Sequence, residues 1–314
     1  VGYQALTANT TGIRNTALGT ESLVSNTTGE YNTALGAYSL NSNTSGDDNT
    51  VVGNWSLKFN TTGSRNTASG SYCLLKNTTG SNNTASGKDS LYENTTGNSN
   101  TAIGYNSLRL NTTAHSNTAI GAICLRSNTT GSTNTAVGNR SLYSNTTGSR
   151  NTALGNQTLD ANTTGAENTA SGFWSLYTNT TGRNNTASGY YSLRLNTTGS
   201  NNTAFGHEAG EVITTGSNNV ILGYQADPDT GAAENQIVIG KGATGQANNS
   251  VTLGNADVTA VYMAQDSGAT VYCAGLNIGG VSITSSAAEL NYLDGVTSNI
   301  QTQINNLGSG GGAS

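Results

Sequence analysis

The chain has 314 residues, of which 9% are charged and 33% hydrophobic, with a formal net charge of -5, 41 glycines and one proline. The acidic balance offers no basic patch for nucleic acid, and no stretch reaches the ~18 consecutive apolar residues of a membrane span. Low hydrophobicity comes here without the high net charge or proline content that usually accompanies disorder.

From its first residues the sequence is a 17-residue unit, N-T-A-x-G-x-x-S-L-x-x-N-T-T-G-x-x. Its first glycine recurs from Gly2 and Gly19 to Gly206, and its leucine from Leu6 and Leu23 to Leu193, with no insertion between copies. An unbroken period of this kind requires a coil whose turns stack on one another. Residues 1–206 are therefore predicted to form an all-β, parallel β-solenoid (β-roll) array. Twelve turns at ~4.8 Å each would extend about 58 Å.

Within one turn, Asn15 to Gly19 reads as strand and bend, Ser22-Leu23 as a second short strand, and Asn26-Thr27-Thr28-Gly29 as the returning bend. Both glycines read as suppliers of positive φ, and the asparagines as side-chain caps of the bends. Ala17, replaced only once among the copies (Val51), and the unvarying Leu23 are predicted to point inward. The slot of Leu18 varies, as in Ser69 and Phe205, and is predicted to face a neighbouring chain. The slots of Thr20, Glu21, Val24 and Ser25 vary freely and carry Tyr38, Trp55, Phe59, Arg109, Arg140 and Trp174, which are predicted to point to solvent or a partner. One Leu and one Ala per turn make a thin core, which favours an oligomer.

Past Gly206 the unit degrades, and residues 207–254 read as more apolar, irregularly spaced capping coils. Residues 255–286 alternate polar and apolar residues, as a β-rich neck would. Over 287–307, Leu290, Leu293, Thr297, Ile300, Ile304 and Leu307 repeat at spacings of three and four, a short coiled-coil seam compatible with three strands. A single amphipathic helix against a β layer would carry the same pattern. Residues 308–314 read as a flexible Gly/Ser tail. Val1 enters in mid-repeat, so the chain is expected to be a fragment or a processed product.

The N-T-A-x-G and N-S-V-T-L-G blocks resemble the head repeats of trimeric autotransporter adhesins. The unit Gly2 to Gly12 is similar to repeats of phage tail fibres and related bacterial surface proteins, and Ala287 to Thr297 is similar to a motif of marine phage fibres. These resemblances imply parallel homotrimers of left-handed β-rolls, a fibrous shape and an attachment function at a cell surface, in the extracellular space or on a virion. Expected partners are other copies of the chain, end to end as well as side by side, and a cell-surface glycan or protein receptor. Nothing here matches the self-cleaving chaperone domain that often follows such shafts.

No catalytic constellation is visible, and no cofactor or metal is expected. His115 and His207 fall where exposure is expected, and no carboxylate recurs as a paired row. Cys73 and Cys124 occupy the slot of Ser22, three turns or about 14 Å apart, too far for a disulfide and suited to buried replacements of Ser. Each N-T-T-G block begins an N-glycosylation sequon, at Asn9, Asn26, Asn43, Asn60, Asn77, Asn94, Asn111, Asn128, Asn145, Asn162, Asn179 and Asn196. The same Asn and Thr can equally serve the bend. Phe173-Trp174 and Tyr190-Tyr191 occupy matching slots one turn apart and, with Tyr177, are expected to stack into an exposed aromatic patch suited to sugars or protein partners. The alternative is that these rings only cover the core or lie between chains. A threonine row through Thr10, Thr27 and Thr44 raises an ice-binding reading, weakened because bends interrupt that row.

Overall fold

A computed structural model describes residues 2–261 together with Leu276–Ile278 and Val281–Ile283. Two compact units are present, residues 1–259 and 260–314. The first is a parallel β-solenoid of about 14 turns built on 17-residue rungs. Its strands are three residues long and begin with β1 (Thr16–Leu18), β2 (Thr33–Leu35) and β3 (Thr50–Val52). They recur every 17 residues through β12 (Thr203–Phe205) and continue as β13 (Val220–Leu222), β14 (Ile237–Ile239) and β15 (Val251–Leu253). All fifteen lie in one sheet in chain order. Register is slot on slot: Thr16 faces Thr33, Ala17 faces Ala34 and Leu18 faces Leu35. In the second unit, β16 (Leu276–Ile278) pairs antiparallel with β17 (Val281–Ile283). The coiled-coil and tail segments, 287–307 and 308–314, lie outside the described residues.

Each rung holds one strand, not the expected two. Ser22-Leu23 lies in a run of turns, where Glu21 and Leu23 both have φ of 51°. A leucine in the left-handed region costs about 1 kcal/mol, yet the whole leucine column adopts it, as Leu108 (φ 49°) and Leu125 (φ 48°) illustrate. Backbone bonding between rungs survives the curl, since Leu23 N donates to Ser39 O (3.1 Å) and Ser25 N to Asn41 O (3.1 Å). The positive φ values turn the chain around a narrow rung and aim the leucine at its centre. Apolar periodicity cannot distinguish this from an extended strand.

Ala17 and Leu23 and their copies are buried, as their invariance predicts, with Leu6 on the first rung partly buried. The rest of the interior is polar. Ser22, Asn26 and Asn32 are fully buried, and so are most of their copies. The asparagines do more than cap bends: they form two amide ladders along the axis. In the first, Asn43 Nδ2 donates to Asn26 Oδ1 (2.8 Å) and to Gly46 O (2.9 Å). In the second, Asn49 N and Nδ2 both donate to Asn32 Oδ1 (3.0 Å each), and Nδ2 also reaches Gly63 O (3.0 Å). A buried amide is tolerable because each copy satisfies the next. The first threonine of N-T-T adds a third rail, with Thr27 Oγ1 donating to Thr44 O (3.0 Å).

The two glycine slots have different reasons. Gly104 has φ of 129°, and an added Cβ would stand 2.4 Å from Gly121 O. The N-T-T-G glycine does not have the expected positive φ; at Gly29 a Cβ would instead meet Gly46 O (2.5 Å) and Asn26 Oδ1 (2.6 Å). Close stacking of rungs, rather than handedness, selects it, and one rung accommodates Ala114 there.

The expected irregular spacing after Gly206 is corrected. Gly223 and Gly240 keep both the 17-residue period and the positive φ, and only the last step shortens, with Val251 opposite Ile237. What changes is the filling of the core. Gly210 replaces the column leucine and Ile213 replaces the ladder asparagine; a Cβ on Gly210 would stand 3.4 Å from Ile213 Cδ1. The Ile213 side chain thus takes over the leucine's space. The first ladder stops there, leaving Asn196 Oδ1 buried without a hydrogen-bond partner.

One turn later Asp227 holds the leucine slot and accepts from Val212 N (3.3 Å). Burial pushes its carboxyl up to about 6. Folded Asp227 therefore binds its proton more tightly than the unfolded chain does. Its contribution to stability is complete below about pH 4 and is lost as pH rises through about 6. Thermal melting of D227N compared with the unaltered chain is expected to show this: the unaltered chain loses ground to the variant between pH 4 and pH 7. A gap that stays constant across that range would refute the assignment.

Candidate functional site: an aromatic ladder along one face

The curled segment after each glycine presents the slots of Thr20, Glu21 and Val24 along one side of the solenoid. Because rungs stack in register, side chains in one slot meet their copies one turn away. Phe173 and Tyr190 stack at 5.5 Å with ring planes 13° apart. Trp174 and Tyr191 stack at 5.3 Å and 23°. Neighbours within a rung also stack, Phe173 on Trp174 at 5.2 Å, Trp174 on Tyr177 at 4.8 Å, and Tyr190 on Tyr191 at 4.0 Å. All five aromatic residues singled out in the sequence are thus brought together.

Two members were missed. His207 stacks on Tyr190 (4.9 Å, 14°), and Tyr224 stacks on His207 (5.2 Å, 23°). Both sit in the slot of Phe173, 17 and 34 residues beyond Tyr190. The signal was slot position, which reading 207–254 as irregular concealed. His207, expected to be exposed, is half-buried between two rings; His115 is exposed, and its Nδ1 accepts from Asn98 N (3.0 Å).

Polar groups hold the ladder. Trp174 Nε1 donates to Gln157 Oε1. The Arg194 guanidinium lies 4.7 Å from the Tyr191 ring centre and pairs with Glu211 (2.5 Å). A hydrogen bond with Tyr191 holds the Tyr190 phenol above its ordinary range. Near-parallel rings about 5 Å apart partly cover each other's faces. The ladder therefore offers edges and hydroxyls along its flank, and open ring faces chiefly at its ends. That is a surface for hydrogen-bonding partners more than a platform on which successive sugars lie flat.

The sequons have a different placement. Asn26, Asn43 and Asn60 are fully buried, and so are the later sequon asparagines through Asn196. Their Nδ2 atoms, the position a glycan would occupy, lie inside the first amide ladder. Only Asn9, on the first rung, is part-exposed, and its Nδ2 donates to Gly12 O (2.8 Å). A glycan on any interior rung would displace two hydrogen bonds and wedge the stack apart, so from Asn26 to Asn196 the burial favours the alternative reading, in which Asn and Thr serve the bend. Cys73 and Cys124 are buried free thiols in the serine column, both raised by burial, Cys124 to about 12.

The class of protein defined by this architecture is a β-solenoid repeat protein. No protein-family model matches the chain, and no curated protein matches it.

Proposed function

We propose that the chain is the structural shaft of an extracellular or virion fibre used for attachment, assembled as a parallel homotrimer and without catalytic activity. The observation that carries this reading is the outer face of the fifteen-stranded sheet. The third residue of each strand points away from the core, and Leu18, Val52, Ile120, Val137, Leu154 and Phe205 are each more than one third exposed there. Isolated exposed apolar residues are ordinary, but a row that recurs from strand to strand, broken only at Ser69, Ser86, Ser171 and Ser188, is not. Fifteen strands at ~4.8 Å make this face about 70 Å long, and eleven of them place an apolar residue in the slot. With a width of about 10 Å it offers roughly 700 Å² per copy, close to the ~800 Å² per partner of a standard interface.

Symmetric association about the long axis lets each copy cover its neighbour's stripe, while the aromatic face stays outward for a cell-surface glycan or protein receptor. Light scattering of the intact chain is expected to give three times the monomer mass. The double variant I120E/V137E is expected to shift the mass toward monomer, since each carboxylate would be buried unpaired in the interface. A stable monomer at micromolar concentration, or an unchanged mass in the variant, would refute the reading.

A second reading is favoured by one observation. The Thr10, Thr27 and Thr44 row is engaged in rung-to-rung bonding, but Thr16, Thr33 and Thr50 head their strands on the outward side of the sheet. A threonine row in strict register from strand to strand suits an ordered crystalline surface such as ice. Inhibition of ice recrystallisation at micromolar concentration would favour it over self-association.

A further inference from the structure

The aromatic side of the solenoid is interrupted, and the interruption has its own chemistry. Upstream, Tyr38, Trp55 and Tyr72 form a second ladder in the slot of Glu21, with ring centres 4.9 and 6.4 Å apart. The next rung places Asp89 in that slot, so no ring follows Tyr72. A cleft of about 220 Å³ opens there, lined by Tyr72, Lys88, Asp89, Tyr92 and Arg109.

Its charges are arranged for a ligand. Lys88 and Arg109 take part in no ion pair among the described residues, whereas nearby Lys76 is neutralised by Glu93 at 2.8 Å. The Arg109 guanidinium lies 5.0 Å from the Tyr92 ring centre, which orients it without consuming its charge. Two unpaired cations against one carboxylate give the cleft a net positive charge on a chain whose net charge is -5. Tyr72, the last ring of this ladder, thus borders the cleft together with both cations and the carboxylate.

We propose that this cleft binds one anionic pyranose, a sugar ring bearing a carboxylate or a sulfate. The anionic group pairs with Lys88 and Arg109 through charge-assisted hydrogen bonds, for which the planar guanidinium is well shaped. The apolar face of the sugar ring lies against Tyr72, in the space a further aromatic ring would have filled. Asp89 accepts from sugar hydroxyls, so the site discriminates a hydroxylated anion from a bare one. This inference does not depend on the chain being a fibre or a trimer.

The test is titration of the full chain, by ligand-observed NMR or calorimetry, with 3′-sialyllactose, galactose 6-sulfate, lactose and sodium sulfate. The sialylated or the sulfated sugar is expected to bind at least about tenfold more tightly than lactose and than sodium sulfate, and which of the two prevails identifies the anionic group. Binding is expected to weaken as salt is raised, as for any exposed charge pairing. K88Q/R109Q and, separately, Y72A are each expected to weaken it by about tenfold or more, corresponding to about 1.4 kcal/mol. All these side chains lie outside the core, and unchanged melting of K88Q/R109Q would show that the fold is intact. Equal binding of lactose, or undiminished binding by K88Q/R109Q, would overturn the proposal. Sodium sulfate binding as tightly as the sugars, with Y72A without effect, would reduce the cleft to an anion site and equally overturn it.

Discussion

Leu108→Asp is expected to lower the melting temperature by about 10 °C or more, the scale of a loss of several kcal/mol in a domain of this size. Leu108 is fully buried in the leucine column, between Leu91 and Leu125. The substitution removes the transfer energy of the leucine, about 2 kcal/mol, and places a carboxylate where no cation can reach it. The neighbouring rungs should share the damage, because each rung contacts only the ones above and below. Hydrogen exchange should then accelerate around residues 91–125 while distant rungs stay protected. The control is Tyr105→Asp on the same rung, where the side chain is 53% exposed, and it should shift melting by only a degree or two. Comparable shifts for the two variants would overturn the inward assignment.

How much of this was legible in the sequence depends on the kind of residue. The stacking, the rung length and the inward Ala and Leu followed from invariance within the chain, since a slot that tolerates no change is a packed one. The outward apolar row at Leu18 was legible for the converse reason: it stays mostly apolar but changes identity. The second strand was misread because an inward leucine is usually presented by extended backbone, whereas Leu23 is presented by a left-handed residue. The burial of the asparagines and their ladders were not legible, because Asn ordinarily marks bends and lies outside. Only repetition reverses this, by setting each amide's donor against the acceptor of its own copy. For the aromatic site, membership was legible from slot arithmetic. That the rings cover one another's faces was not, because it depends on side-chain rotamers.

The two ladders make the strongest claim about what holds the solenoid together, and Asn100 isolates it. Its Oδ1 accepts from Asn117 N (3.0 Å) and Asn117 Nδ2 (3.3 Å), and its Nδ2 donates to Asn83 Oδ1 (3.2 Å) and Ala114 O (2.9 Å). Asn100→Leu is close to isosteric and more apolar, so a conventional core would gain from it. Here it would strip the Asn117 backbone amide of its acceptor and leave one amide hydrogen of Asn117 unpaired in the interior. Each orphaned buried group costs about 1–3 kcal/mol, giving about 2–6 kcal/mol in all. Thr96, the second threonine of its block, is exposed and makes no side-chain hydrogen bond among the described residues. Thr96→Val is therefore expected to stay within about 0.5 kcal/mol of the unaltered chain. Denaturant unfolding of both variants decides the matter. If Asn100→Leu proved neutral or stabilising, the apolar column alone would be holding the rungs, and the amide ladders would be passengers of the repeat.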